Sequence, residues 1–251
     1  MKTIVSTSLE EAALTGRLNH NSRAINTQAV RELVAHNPYW SLSLKAVETL
    51  ELDFDEALDR LIASLGLTRA EFDEHDEGYI NPERTEEQLR KGLGELFGAA
   101  ATGATILLAT GHPGSMTETY RLLGVELERA GGKLWRLGER TPTPGGRFLD
   151  ELGGVIVLSD EGSLEHTHAD EGLRQLMDDR RPDWVVSDHG YAAAAIDLGI
   201  STVAFFDSDD PALPLAATVC DNVIAIPMND NQTNIKTATA LKPHIMAAAR
   251  A

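Results

Sequence analysis

The chain has 251 residues, 42% of them apolar and 24% charged, which is the composition of a globular protein with a sizeable core. A formal net charge of −17 with no basic run argues against a surface for nucleic acid or anionic membranes. The single cysteine, Cys220, excludes an intramolecular disulfide framework and a thiolate metal cage. The first apolar run stops at Val5 and none reaches the roughly 20 residues of a membrane span, so we expect a cytoplasmic protein.

The pattern over residues 1–100 predicts a mostly helical region that could cap a site elsewhere. Residues Phe72 to Glu77 are expected to form a solvated acidic loop, and Tyr79 to Thr85 (YINPERT) has Asn-Pro turn chemistry. Tyr79 and Arg84 of that turn are candidates to reach over a site, with Arg84 a candidate anion ligand and a plain surface arginine the alternative. Four positions have the capping-box spacing that begins a helix: Ser8 with Glu11, Asp53 with Glu56, Thr68 with Glu71, and Thr85 with Gln88.

From about residue 101 the apolar periodicity changes, and runs of strand length alternate with helical patterns. This alternation predicts an α/β domain over residues 101–251, built on a doubly wound, mostly parallel sheet. The predicted helices are Thr117 to Ala130, Asp170 to Asp178, Tyr191 to Leu198, and one within Thr233 to Ala249. The predicted strands are Ile106 to Ala109, Leu134 to Leu137, Val155 to Leu158, Trp184 to Val186, Thr202 to Phe206, and Val223 to Ile226.

The segment Thr105 to Tyr120 (TILLATGHPGSMTETY) has the pattern of a strand, a tight turn and a helix N-terminus. In an open α/β sheet, such a turn lies at the carboxyl edge, where free N–H groups and the helix dipole favour an anion. The residues predicted to hold the anion, taken as a phosphate, are Gly111, His112, Gly114 and Ser115.

Polar and acidic residues follow most of the predicted strands, and in a parallel sheet those ends share one edge. We therefore expect a cleft there, although an Asp after a strand commonly caps the next helix. Carboxylates without cysteine favour Mg²⁺ or Mn²⁺, and imidazoles leave a borderline metal open. The expected cluster holds Asp160, Asp188, Asp207, Asp209, Asp210, Asp230, His112, His166, His168 and His189, with Asp160, Asp188, Asp207, His166 and His168 as candidate metal ligands.

An anion-binding turn beside carboxylates points to a phosphorylated metabolite as substrate. Asp160, Asp188 and Asp207 are candidate ligands or acid–base groups, and His189 is a candidate to protonate the leaving alkoxide. The sequence lacks the motifs of several known enzyme classes. A cysteine phosphatase needs an arginine six positions after its cysteine, and Ile226 is at that position relative to Cys220. The sequence also has no P-loop and no dinucleotide-binding fingerprint. Too few residues follow Asp207-Ser208-Asp209 for a haloacid-dehalogenase core.

The motifs TGHPGS, SDEGSLEHTH, SDHG, DDPALP and IPMNDN, in that order, resemble a group of bacterial proteins catalogued as phosphatases. The resemblance covers most of residues 79–231, and it implies phosphatase activity on a phosphomonoester. A looser similarity links the chain to the metal-dependent damage-control phosphatases, which also join a helical part to an α/β part. Their Asp-Asn metal motif is matched here only by Asp188-His189 and Asn229-Asp230-Asn231, which depart from it.

Three other functions fit the same pattern. A sugar-phosphate isomerase also uses an anion-binding turn but would turn over its substrate without releasing phosphate. A non-catalytic sensor would bind a phosphorylated metabolite tightly and not convert it. A structural protein would carry the acidic strand ends only as helix caps.

Overall fold

The computed structural model describes residues 9–251. From residue 105 onwards strands and helices alternate, except that strands follow one another between residues 133 and 165. The strands are β1 (Gly16–Ser22), β2 (Glu77–Ile80), β3 (Thr105–Thr110), β4 (Lys133–Leu134), β5 (Thr141–Thr143), β6 (Arg147–Leu152), β7 (Val155–Ser159), β8 (Leu164–Glu165), β9 (Trp184–Asp188), β10 (Ser201–Phe206) and β11 (Val223–Pro227). The helices are α1 (Arg23–Val34), α2 (Pro38–Ser41), α3 (Lys45–Glu48), α4 (Phe54–Ser64), α5 (Arg69–Glu74), α6 (Pro82–Ala101), α7 (Pro113–Arg129), α8 (Leu173–Asp179), α9 (His189–Asp197), α10 (Ala212–Ala216) and α11 (Asn234–Ala248).

The main sheet has the strand order β11-β10-β9-β3-β7-β6-β5, with β4 beside β3 and β8 beside β7. The run from β11 to β7 is parallel throughout, and β6, β5 and β8 extend it in antiparallel fashion. The predicted α/β class with a mostly parallel sheet is confirmed. Carboxyl ends of the five parallel strands therefore lie along one edge, which is where this class of fold places its ligands.

Helices cover both faces of the sheet because its strands are apolar on both sides. Ile106 and Leu108 of β3 share a buried cluster with α6, α7 and α11, whereas Leu107 and Ala109 point the other way and pack with α8 and α9. Side chains of a strand alternate between the two faces, so a run of four apolar residues supplies both cores. The sheet is thus doubly wound, as predicted.

The N-terminal part packs on the second face and is less purely helical than predicted. Strands β1 and β2 form a separate antiparallel pair, which the helical prediction missed. Their Leu18 and Ile80 join α1 and α4 in a cluster that includes Ala204 and Phe206 of β10. Helix α6 packs on the opposite face of the main sheet. The division into a helical region over residues 1–100 and an α/β domain over residues 101–251 stays a prediction.

Two of the predicted helix starts are confirmed. The Asp53 side chain accepts a hydrogen bond from the backbone of Glu56, and Thr68 forms a full capping box with Glu71. The start predicted at Thr85 is wrong, because Asn81 caps α6 and Pro82 occupies its first turn. The pair of Ser8 with Glu11 involves a residue outside the described range.

Two other local predictions differ from the structure. The strand expected at Leu134 to Leu137 is reduced to β4, and the residues between β4 and β7 instead form the hairpin of β5 and β6. Phe72 of the supposed solvated loop is buried in α5, and Glu77 begins β2. Within residues 9–251, no helix is both long enough and apolar enough to cross a membrane.

Candidate metal centre

The site begins where β3 and β9 lie side by side and their following helices leave to opposite faces of the sheet. Helix α7 follows β3 onto one face, and α9 follows β9 onto the other. A crevice opens at such a switch point. His112, the residue before α7, and His189, the first residue of α9, flank that crevice, with Nε2 of His189 2.5 Å from Nδ1 of His112.

His189 is held in an unusual backbone conformation. Its φ is +46°, in the left-handed region that residues other than glycine rarely adopt. Such strain persists only where the surrounding structure enforces it, and it is concentrated at functional positions. The side chain of His189 is almost fully buried, so the fold directs an imidazole into the crevice.

Two more histidines approach from the segment after β8. Thr167 donates its backbone N–H to the carbonyl of Gly111 at 3.0 Å, which ties this segment to the turn after β3. The ring of His166 then lies 4.2 Å from that of His112, and the ring of His168 lies 4.3 Å from that of His189. Four imidazoles thus meet at one place, which we call the histidine cluster (His112, His166, His168 and His189).

The close approach of this segment depends on glycine at two positions. A Cβ atom at Gly111 would overlap the carbonyl oxygen of Thr167, and one at Gly190 would overlap the backbone of His168 and Ala169. The glycine of each of the motifs TGHPG and SDHG is therefore required for packing against the segment that carries His166 and His168.

We expect Gly190→Ala to lower the free energy of unfolding by about 1–3 kcal/mol, because the segment carrying His166 and His168 must move away. Gly98→Ala is the matched control, since Gly98 also lies inside a helix and a Cβ there meets nothing within 4 Å. That control should raise stability, by up to about 1 kcal/mol. Chemical denaturation of both variants measures the effect, and equal stability of the two would contradict the packing described here.

Two aspartates, one after β10 and one after β11, face the histidines. Oδ2 of Asp230 lies 3.3 Å from Nδ1 of His112 and 3.8 Å from Nε2 of His189. Oδ2 of Asp210 lies 3.8 Å from Nδ1 of His189. These aspartates follow β11 and β10, so the parallel sheet brings them to the same edge as the histidines.

Asp207 lies beside this group and is contacted from the N-terminal part of the chain. Its Oδ2 lies 2.7 Å from Nε2 of His20 in β1 and 3.5 Å from Nδ2 of Asn231. Asn231 also donates to Asp230 at 3.2 Å. The N-terminal strand pair therefore supplies a residue to the site.

The carboxyl groups of the site lack ordinary counter-charges. Asp188, Asp207, Asp210 and Asp230 are all buried, yet in the described part of the chain no lysine or arginine forms an ion pair with any of them. Two buried atoms at the centre, Nδ1 of His189 and Oδ2 of Asp230, make no hydrogen bond there. Buried charges and polar atoms are normally paired or bound to a metal.

Donor atoms of the right kind and spacing for a metal ion surround these two atoms. Two sets of three have their donors within 4.8 Å of one another, His112 with His166 and His189, and His189 with Asp210 and Asp230. Nitrogen and carboxylate donors together suit Mn²⁺ or Zn²⁺, and the acidic set suits Mg²⁺ as well. The residues present fit a divalent cation.

The electrostatics of three of the four histidines favour the neutral form that a metal requires. Burial lowers the pKa of His189 well below its usual value and lowers the pKa values of His166 and His168 to about 4. His112 differs, because the adjacent Asp230 outweighs burial and raises its pKa to about 10.

Burial raises the pKa values of the carboxyl groups, whereas it lowers those of the histidines. The pKa of Asp188 is raised to about 6. Burial, followed by the neighbouring charge of Asp207, raises the pKa of Asp209 to about 7, and burial beside Asp209 raises that of Asp210 well above its usual range. Negative charge is crowded at this end of the site, and a bound cation would relieve the crowding.

Asp188 has a different environment from the other carboxylates. Its oxygens accept hydrogen bonds from the Thr110 hydroxyl at 2.6 Å, the Gly111 backbone at 2.6 Å and the Tyr120 hydroxyl at 3.2 Å. Thr110 in turn accepts the backbone N–H of His112 at 2.9 Å. These contacts suit a residue that fixes the turn carrying His112.

The predicted anion turn lines a cleft of about 450 Å³ between two helix N-termini. Helices α7 and α11 both begin there, neither has a side-chain cap, and Asn234 of α11 hydrogen-bonds both Pro113 and Glu118. Their dipoles favour an anion in this cleft. The Ser115 hydroxyl donates to the carbonyl of Asp230, so it holds the loop that carries this aspartate.

The structure brings the candidates His112, His166, His168, His189 and Asp207 together and sets three others apart. Asp160 is bonded to the backbone of Gly162 and Ser163 in its own exposed turn. Arg84 pairs with Glu87 on the first turn of α6, where its side chain packs on Gly66. Tyr79 lies in β2, stacked on His75.

Sequence reasoning included Asp210 and Asp230 in the expected cluster but did not select them as ligands, and it missed His20. The alternation at the start of GRLNHNS is the signal for β1 that was available, but the register shifts between Leu18 and Ser22, so the alternation does not extend to His20. Nothing local indicates that this strand crosses to the end of β10.

Comparison with known proteins identifies a family that the chain matches. A family model described as "Phosphatase" matches residues 2–250. The phosphatase SCO2771 of Streptomyces coelicolor is 34% identical over 158 residues, which make up 61% of this chain and 60% of that protein. No solved structure matches the chain. Since the family model covers nearly the whole sequence, the chain belongs to the Phosphatase family.

Proposed function

We propose that this protein hydrolyses a small phosphomonoester with the help of a divalent metal ion bound between the histidine cluster and Asp230. The observation that carries the proposal is the pair of buried, unbonded donor atoms, Nδ1 of His189 and Oδ2 of Asp230, at the switch point of the sheet. Family membership supports the reaction type.

His112, His166, His189, Asp210 and Asp230 are the residues that would hold the ion, and Mn²⁺ or Mg²⁺ is the first expectation. A divalent ion at this place would polarise the phosphoryl group and lower the pKa of a water molecule. Asp207 and His20 lie next to these ligands and would orient them.

The cleft between α7 and α11 is the proposed place of the phosphate. His112 and His166 line both this cleft and the metal centre, so an anion in the cleft would contact the metal side directly. Gly111 lets the segment that carries His166 approach the turn closely, and the first turn of each helix offers uncapped N–H groups. The backbone would thereby stabilise charge that builds up on the phosphoryl oxygens.

The burial of His189 changes the role proposed for it. Since its pKa lies well below the usual value, the imidazole is neutral at neutral pH and is a poor general acid. We therefore assign His189 to metal binding. The leaving alkoxide would then take its proton from water admitted through the open cleft beside His166 and His168, whose volume is about 520 Å³.

The test is release of inorganic phosphate from a panel of phosphosugars, nucleoside monophosphates and phosphoamino acids. Chelator-treated protein is assayed before and after addition of Mg²⁺, Mn²⁺ or Zn²⁺. We expect release only with metal, and Asp178→Asn, at an exposed position of α8, should leave it unchanged. If no condition releases phosphate while a phosphorylated compound raises the melting temperature, the chain is a sensor and the proposal fails.

A further inference from the structure

The donor atoms of the site form two sets of three that share His189. His112, which forms one set with His166, contacts Nε2 of His189, while Asp210 of the other set faces its Nδ1. Each set alone has enough donors for an ion, with all its atoms within 4.8 Å of one another. A single ion would leave one of the sets without a partner.

We infer that the site binds two divalent cations at once, one held by His112 and His166 and the other by His189 and Asp210, with the carboxylate of Asp230 shared between them. The inference rests on the proposed function and specifies how many ions that function uses. Paired ions about 3.5–4 Å apart are a known arrangement for phosphoryl chemistry, in which they stabilise the attacking and the leaving oxygen together.

Charge balance supports two ions. Asp188, Asp207, Asp210 and Asp230 bring four buried carboxylates to this edge of the sheet, and no lysine or arginine of the described residues pairs with them. When metal binding keeps all four carboxylates ionised and the histidines neutral, one divalent ion compensates half of their negative charge and two compensate all of it. Buried carboxylates left without compensation would be expensive in free energy.

The position of Asp230 is the second support. Its unbonded Oδ2 lies 3.3 Å from Nδ1 of His112 and 3.8 Å from Nε2 of His189, so this carboxylate reaches toward the histidine set. The same residue belongs to the acidic set with Asp210. A carboxylate with two oxygens can bind two cations, which a neutral imidazole with one free nitrogen cannot do.

The experiment loads chelator-treated full-length protein with Mn²⁺ alone and measures bound metal per chain by mass spectrometry. We expect about two Mn²⁺ per chain at saturation. Electron paramagnetic resonance should show a magnetically coupled pair, since two neighbouring ions interact, in place of the six-line spectrum of an isolated ion. Binding of about one equivalent by the wild type, with an uncoupled spectrum, would overturn the inference.

Variants assign each ion to its set. His166→Gln changes an exposed residue of the histidine set, and Asp210→Asn changes the acidic set with little change of shape. Each should retain about one Mn²⁺ and lose the coupled signal, while Asp178→Asn on the surface should keep both. Retention of two ions by both site variants would overturn the assignment.

The outcomes also separate this inference from the proposed function. One bound ion with metal-dependent phosphate release would refute the pair and leave the phosphatase proposal intact. Two bound ions without release of phosphate from any substrate would support the pair and refute the phosphatase proposal. Absence of bound Mn²⁺ would refute both.

Discussion

Replacing His189 with asparagine should decrease metal-dependent phosphate release on the order of 1,000-fold, about 4 kcal/mol in the activation barrier. His189 belongs to both sets of donor atoms, so its loss removes a ligand whichever set uses it. Asparagine is the chosen replacement because it tolerates the left-handed backbone at this position. The measurements are kcat/KM and bound Mn²⁺ per chain.

His36→Asn is the matched control for this change. His36 also has a positive φ, +57°, but it lies exposed after α1, far along the chain from the strand ends that form the site. The two variants therefore share any effect on the backbone and differ in their relation to the metal centre. Activity and metal content in His189→Asn equal to those of His36→Asn would contradict the assigned role.

The second large effect is expected for Asp188→Asn, which separates two roles for that residue. If Asp188 positions the turn before α7, the variant should bind as much Mn²⁺ as the wild type while kcat falls about 10- to 100-fold. The unfolding free energy should fall by about 1–3 kcal/mol, because an amide group would face the Thr110 and Tyr120 hydroxyls that now donate to a carboxylate.

The contrary result for Asp188→Asn is loss of bound metal in a protein that stays folded. That result would restore the metal-ligand role predicted from the strand-end pattern. Asp178→Asn, the same chemical change at the surface, controls for the loss of one negative charge. Denaturation curves for both variants, recorded with and without Mn²⁺, distinguish a change in folding from a change in metal affinity.

Local sequence was sufficient to predict the strands and helices that build the sheet. Apolar runs such as Ile106 to Ala109 can be buried on both faces only in a sheet covered by helices on each side, so the doubly wound class follows from them.

Prediction from the sequence was weakest in the N-terminal part. The strand pair β1 and β2 is stabilised by contacts between residues some sixty positions apart, which no local pattern specifies.

The sequence by itself determined which residues stand at the carboxyl edge. His112, His189, Asp207 and Asp230 each follow a strand, and parallel strands share that edge whatever their order. The sequence also determined the donor types, since histidine and aspartate without cysteine limit the ions that can be bound.

Only the tertiary structure decided which of these residues meet. Strand order places β3 beside β9, and this brings His112 within 2.5 Å of His189. The same order turns Asp188 toward Thr110 and leaves Asp160 in an exposed turn of its own. Strand order depends on packing between distant segments of the chain, and for that reason the spacing of residues along the sequence could not supply it.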